Sequence, residues 1–170
     1  MFFRKIHRLR HEKNGKWMKR IQKIVLHHTA GQVPTNRREV LDILVSINIH
    51  HKNKDWGGGA IAPSITYHYA IEPNSGRIWQ LNDDNDVTWH AGMANAHGLG
   101  VVVLGNFERY SLTTKQKAKI EEALDDLQKD FYGKYKITKK DWEPHSSFSD
   151  TLCCGKFLKE LLDEWKIKKS

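Results

Sequence analysis

Ile21-Gln22-Lys23-Ile24-Val25-Leu26-His27-His28 is the stretch from which the fold can be read. Its centre, Ile24-Val25-Leu26, is apolar at consecutive positions. A strand of that kind has both faces covered, as an inner strand does when helices lie on either side of its sheet. Residues 29–35 follow as a loop. Asn36 with Glu39 three residues on then forms a capping box for a helix running to about His51, with Val40, Leu41, Leu44, Val45 and Ile47 on its inner side. Strand, loop and helix in that order begin an α/β chain.

Outward from this unit, residues 65–72 and 77–81 read as a hairpin joined by Pro73-Asn74-Ser75-Gly76. Residues 99–104 form a short buried strand. Thr113 with Gln116 caps a second helix to about Tyr132, whose inner stripe is Ile120, Ala123, Leu124, Leu127 and Phe131. Residues 134–142 lead into a further loop, and residues 155–165 close the chain as a helix. The predicted class is α/β: one domain over residues 21–170, with a central mixed β-sheet flanked by helices and a basic N-terminal arm at residues 1–20.

The charge supports that division. The chain carries 28 Lys and Arg against 20 Asp and Glu, a net of +8. Residues 1–23 hold nine of the bases (Arg4, Lys5, Arg8, Arg10, Lys13, Lys16, Lys19, Arg20, Lys23) and one acid, Glu12, while the remainder balances at 19 of each. A neutral body behind a basic arm excludes a generic nucleic-acid-binding domain, whose charge lines a face of the fold. Phe2, Ile6 and Leu9 fall at helical spacing, so the arm reads as an amphipathic helix suited to an anionic membrane or lipopolysaccharide. No apolar run approaches the roughly 20 residues of a membrane span. Met1-Phe2-Phe3 is followed at once by charge, without a signal-peptide apolar region, so synthesis in the cytoplasm is expected. The adjacent Cys153 and Cys154 suit thiols or ligands better than a disulfide. Gly57-Gly58-Gly59 lacks the strand–loop–helix context of a phosphate cradle, which argues against a nucleotide site.

His27-His28 ends the first strand, His145 opens a late loop, and Cys153 lies eight residues beyond it. Neighbouring strand residues face opposite ways, so one member of the His pair at most can bind an ion held by the others. A catalytic zinc takes about three protein N, S or O ligands and keeps one position open, a count that two His and one Cys would meet. On spacing alone, such a set is more often a buried thiol with ordinary polar side chains.

The surrounding words add to this. Ile24-Val25-Leu26-His27-His28-Thr29-Ala30, Thr66-Tyr67-His68-Tyr69-Ala70-Ile71, Trp89-His90-Ala91-Gly92, Leu99-Gly100-Val101-Val102-Val103-Leu104-Gly105, and His145 through Cys153-Cys154-Gly155 occur in one order. Over about residues 22–165 the chain resembles the zinc-dependent N-acetylmuramoyl-L-alanine amidases, a superfamily that includes phage lysozyme-type amidases and peptidoglycan recognition proteins. The resemblance implies Zn²⁺ as cofactor, with His27, His145 and Cys153 as its ligands and Tyr67 beside the metal site. It makes Thr151, two before the Cys ligand, a second catalytic candidate, and His90 and Asn95 substrate contacts in the groove. His28 is carried as a further substrate contact, although strand alternation turns it to the opposite face to pack or hydrogen-bond. Two departures stand out. Cys154 replaces the Pro of a Cys-Pro-Gly common among relatives, and Val102 occupies a strand position where another branch has a catalytic Glu.

The implied activity is hydrolysis of the amide between N-acetylmuramic acid and L-alanine in bacterial peptidoglycan, by a monomeric phage endolysin acting on the cell wall. The runner-up is a non-catalytic peptidoglycan-binding module; the complete ligand set with Tyr67 favours the enzyme. Among the other candidates, His50 and His51 read as solvated at a helix end, and His68 as a core group or one supporting the site. His97 stands open between flanking the groove and being inert. Trp56 and Trp89 read equally as stacking surfaces for sugar or as packing plugs.

Overall fold

The computed structural model describes residues 4–5, 20–56 and 60–168. Phe2, Ile6 and Leu9 of the arm, and the Gly57–Gly59 run, lie outside the described residues. Arg4–Lys5 (β1), inside the stretch read as an arm helix, is instead extended and runs parallel to Trp79-Gln80.

Strand β2 (Lys23–His28) is the inner strand expected, with Ile24, Val25 and Leu26 fully buried. It lies parallel to β5 (Gly98–Val103), which is buried along its whole length. β3 (Tyr69–Ile71) runs parallel to β5 on its other side and antiparallel to β4 (Ile78–Gln80), so the sheet is mixed. The order is β1-β4-β3-β5-β2-β6, the last strand being Trp142–Pro144.

Helix α1 (Arg37–Asn53) covers one face, packing Val40 and Leu44 on Ala70, Trp79, Val102 and Leu104. Asn36 caps it by accepting from the Glu39 N–H, and Glu39 returns to Thr35 and to the Asn36 side chain. Helices α2 (Thr114–Tyr135) and α3 (Lys156–Ile167) cover the other face. The α2 stripe Ile120, Ala123, Leu124, Leu127 and Phe131 is buried as read, against Ile24, Leu26, Ile71, Val101 and Val103. Thr113 and Gln116 form the reciprocal capping box. Among the described residues, no helix is long and apolar enough to cross a membrane.

Two local expectations change. The hairpin arm read from residue 65 pairs only from Tyr69, because the Ile65 and Thr66 N–H groups donate to the α1 side chains Asn48 and His51 instead of to a strand. Residues 142–144, read as the approach to a loop, form β6 beside β2, with Ile24 opposite Trp142 and Leu26 opposite Pro144. Three residues give no periodicity to detect, and Pro144 is tolerated because the strand is an edge. β6 nevertheless sets the site, since its register brings the next residue, His145, alongside His27.

Candidate metal centre and its groove

The site lies at the carboxyl ends of the parallel strands, where open α/β sheets place their ligands. His27 stands one residue before the end of β2, on the α1 face, and His145 follows β6 directly, so their rings meet at 4.5 Å between centroids. The chain then returns through residues 146–152, and Ser146 N–H donates to the Cys153 carbonyl at 2.8 Å, closing that loop. Cys153 Sγ arrives 3.7 Å from His27 Nδ1 and accepts from the His28 N–H at 3.4 Å. Gly155 holds the exit: its φ is +87°, and a Cβ there would stand 2.4 Å from Glu108 N.

Among the described residues, His27, His145 and Cys153 place one ligand atom each within 4.8 Å of one another. A tetrahedral zinc with bonds of about 2.0–2.3 Å spaces its ligands by roughly 3.3–3.8 Å, so small side-chain movements complete the fit. The donor chemistry agrees. Burial holds His27 and His145 below the usual imidazole range, with His90 and His145 adding to the effect on His27. Both therefore keep a lone pair at neutral pH. Burial pushes the Cys153 thiol up to about 11, opposed by the His28 N–H. Cys154 is more buried, and its thiol is pushed up to about 12, by burial first and then by Cys153. It packs into the core with α2 and α3, so Cys153 is the thiol that faces the histidines.

Tyr67 is partly buried with its ring 5.1 Å from that of His27. Burial, then Cys153, raises its phenol above the ordinary tyrosine range, so it remains a donor at all working pH. The Thr151 hydroxyl oxygen accepts from Cys153 N–H at 3.3 Å, leaving its own O–H to donate elsewhere. From His145, alone of the three ligand candidates, runs a cleft of about 420 Å³ lined also by Trp56, Ala60, Trp89, His90, Gly92, Asn95 and Ser149. A larger hollow of about 620 Å³ on the α2–α3 side, bordered by Glu121, Asp125, Lys139 and Trp165, contains none of the candidate residues.

The remaining site candidates sort by strand face and hydrogen bonding. His28 lies on the opposite sheet face, where its Nδ1 accepts from Phe107 N–H at 3.1 Å. His90 lines the cleft but is largely buried, with Nδ1 3.0 Å from His27 Nε2. Asn95 also borders the cleft, and its Oδ1 accepts from His90 and Ala91 N–H. His68 is a core group whose Nδ1 accepts from Gly100 N–H and whose Nε2 meets the Asp86 carbonyl. Val102, directly opposite His27 on β5, belongs to the apolar layer under α1.

His51 corrects the solvated reading. It is buried, its Nδ1 accepts from Thr66 N–H at 3.1 Å, and its ring lies 5.4 Å from Tyr67 and 5.3 Å from Trp56. Trp56 Nε1–H donates to the His51 carbonyl at 2.9 Å. One residue thus ties the end of α1 to both the candidate donor and a cleft wall. The signal was present: 44, 48 and 51 continue the buried helical stripe. Ser149 lies 3.3 Å from His145 Nε2, a contact without a sequence signal because a lone loop serine carries no pattern.

The sequence matches the N-acetylmuramoyl-L-alanine amidase family over residues 17–156. Among solved structures, the chain is similar to N-acetylmuramoyl-L-alanine amidase LysC from Clostridium intestinale URNW, at 26% identity and a TM-score of 0.65, over 91% of this chain and 95% of that one. It shares the fold of Apis mellifera PGRP-SA, at 18% identity and a TM-score of 0.79 over 96% of each chain. Peptidoglycan-recognition protein SC1a of Drosophila melanogaster is 26% identical over 103 residues, 60% of this chain and 52% of that protein. The chain therefore spans about half the length of the curated relatives it matches.

Proposed function

Since the chain belongs to the N-acetylmuramoyl-L-alanine amidase family, we propose that it uses zinc to hydrolyse the amide joining N-acetylmuramic acid to L-alanine in bacterial peptidoglycan. The observation that carries this reading is the convergence of His27, His145 and Cys153 beside an open cleft. Held by His27, His145 and Cys153, a zinc ion would supply Lewis acidity to polarise the scissile carbonyl and acidify water.

This chain's own residues do the rest. The Trp56 and Trp89 side chains border the cleft as flat apolar surfaces against which a sugar ring or peptide can lie. Tyr67, kept protonated, donates to the carbonyl oxygen as it gains negative charge, the role of an oxyanion donor. Thr151 is the second donor available at the Cys153 side. As water adds to the carbonyl carbon and the C–N bond breaks, the departing L-alanine amine takes up a proton. Tyr67 is the phenol placed beside His27 to pass it or to orient the attacking water.

The likeness to an endolysin amidase from Clostridium intestinale at 26% identity supports a lytic role, which we assign to a phage endolysin made in the cytoplasm and acting on the wall. The likeness to peptidoglycan-recognition proteins supports the rival, a module that binds the wall without cutting it. Incubation with purified sacculi separates the two. Release of soluble fragments that stops with chelator and resumes with zinc supports the amidase, whereas retention on sacculi without release supports the module. The basic segment before Ile21 is proposed to draw the protein to anionic membrane or lipopolysaccharide. Its removal should slow lysis of whole cells; lysis of whole cells and of purified sacculi both unchanged by the removal would reject that role.

A further inference from the structure

We propose that His90 is a positioning residue for the metal site: it presets the tautomer of His27 so that Nδ1 is the atom offered to the ion. His90 Nε2 lies 3.0 Å from the Gly98 carbonyl, which can only accept, so Nε2 carries the proton of the ring. A neutral imidazole has one N–H, and His90 Nδ1 is then an acceptor. It stands 3.0 Å from His27 Nε2, which must donate. His27 Nδ1 is left with its lone pair, and this is the nitrogen that faces Cys153 Sγ at 3.7 Å. The backbone carbonyl thus determines the ligand atom two rings away.

The surroundings hold His90 to this task. Asn95 Oδ1 takes both His90 N–H and Ala91 N–H, at 2.9 and 2.7 Å, and fixes the turn that carries the ring. Ala91 packs with Ala94 on Val25 of β2. Gly100 supplies the space: a Cβ there would meet the ring at 2.9 Å from Cγ and 3.0 Å from Nδ1. The relay needs a β5 residue without a side chain at the point where His90 lies on the sheet.

The inference rests on the metal-site reading, and its test keeps the two apart. Zinc affinity of the wild-type protein, measured by competition with a chromophoric chelator, tests the site itself. Long-range ¹H–¹⁵N spectra of the zinc-free protein then report the His27 tautomer without any variant; a proton on Nε2 is expected, and a proton on Nδ1 overturns the proposal. His90→Phe removes the acceptor and should weaken zinc binding about 10- to 100-fold, as loss of a group behind a metal ligand does. His90→Asn returns a carbonyl near the Nδ1 position and should recover most of that loss. Gly100→Ala, which presses on the ring without altering it, should weaken binding in the same direction. Unchanged affinity in both His90→Phe and Gly100→Ala would show that His27 needs no such partner.

Discussion

Loading zinc onto the resting site should expel one proton. At neutral pH the zinc-free site consists of two imidazoles held neutral by burial and a Cys153 thiol pushed up to about 11. The ion binds thiolate, so the thiol proton has to leave. From pH 7 to pH 9 the thiol alone should therefore raise the affinity about tenfold per unit, at least roughly 100-fold in all. At pH 7 the gap to the thiol spans about four units, and at about 1.4 kcal/mol per unit deprotonation costs roughly 5 kcal/mol of the metal's gross binding free energy. Calorimetric titration with zinc in two buffers of different ionisation enthalpy, repeated at pH 7, 8 and 9, counts the protons directly. A count of at least one, rising above one where water on the metal also ionises, with affinity rising in step, is expected. A count near zero with affinity flat in pH would falsify the assignment of a buried neutral thiol as the third ligand.

Three further outcomes follow from the same geometry. Tyr67→Phe should lower amide cleavage about 10²-fold or more with zinc still bound, the cost of one oxyanion donor; unchanged turnover would remove Tyr67 from the chemistry. Cys153→Ser should lose zinc whereas Cys154→Ser keeps it and loses thermal stability instead, because Cys154 packs in the α2–α3 core; metal content of the two purified variants decides. His51 is held down to about 4 by burial first and by His50 second, below the 6.5 of the unfolded chain. The unfolded state then binds the extra proton between those values, so stability is full above about pH 6.5 and falls as the pH drops toward 4. Relative to His51→Phe, the wild type should lose up to about 1.4 kcal/mol per pH unit in that window, less whatever solvent screening removes; parallel urea midpoints would contradict the buried neutral ring.

The elements long enough to show a period were legible: β2 as an apolar run, α1 and α2 as capped stripes, although Val45 of the α1 stripe is exposed, and β5 as a buried strand. What escaped was short or depended on register. β6 has three residues and ends in Pro144, yet its pairing with β2 is what sets His145 next to His27. His51 read as solvated because a His pair at a helix end usually is, and only the stripe through Leu44 and Asn48 pointed inward. The candidate ligands were reached through ordered motifs, since His27, His145 and Cys153 are too scattered for spacing alone to join them. The link from His90 to His27 crosses 63 positions in the chain and exists only because Gly100 lets the ring lie on the sheet. No local pattern encodes that contact.

The most direct test of the account is mass spectrometry of purified sacculi digested by the zinc-loaded protein. The expected products are stem peptides with new free L-alanine amino termini and glycan strands whose sugar linkages are intact, absent after chelation and restored by zinc. New reducing sugar ends, or binding to sacculi with no new amino termini at all, would contradict it.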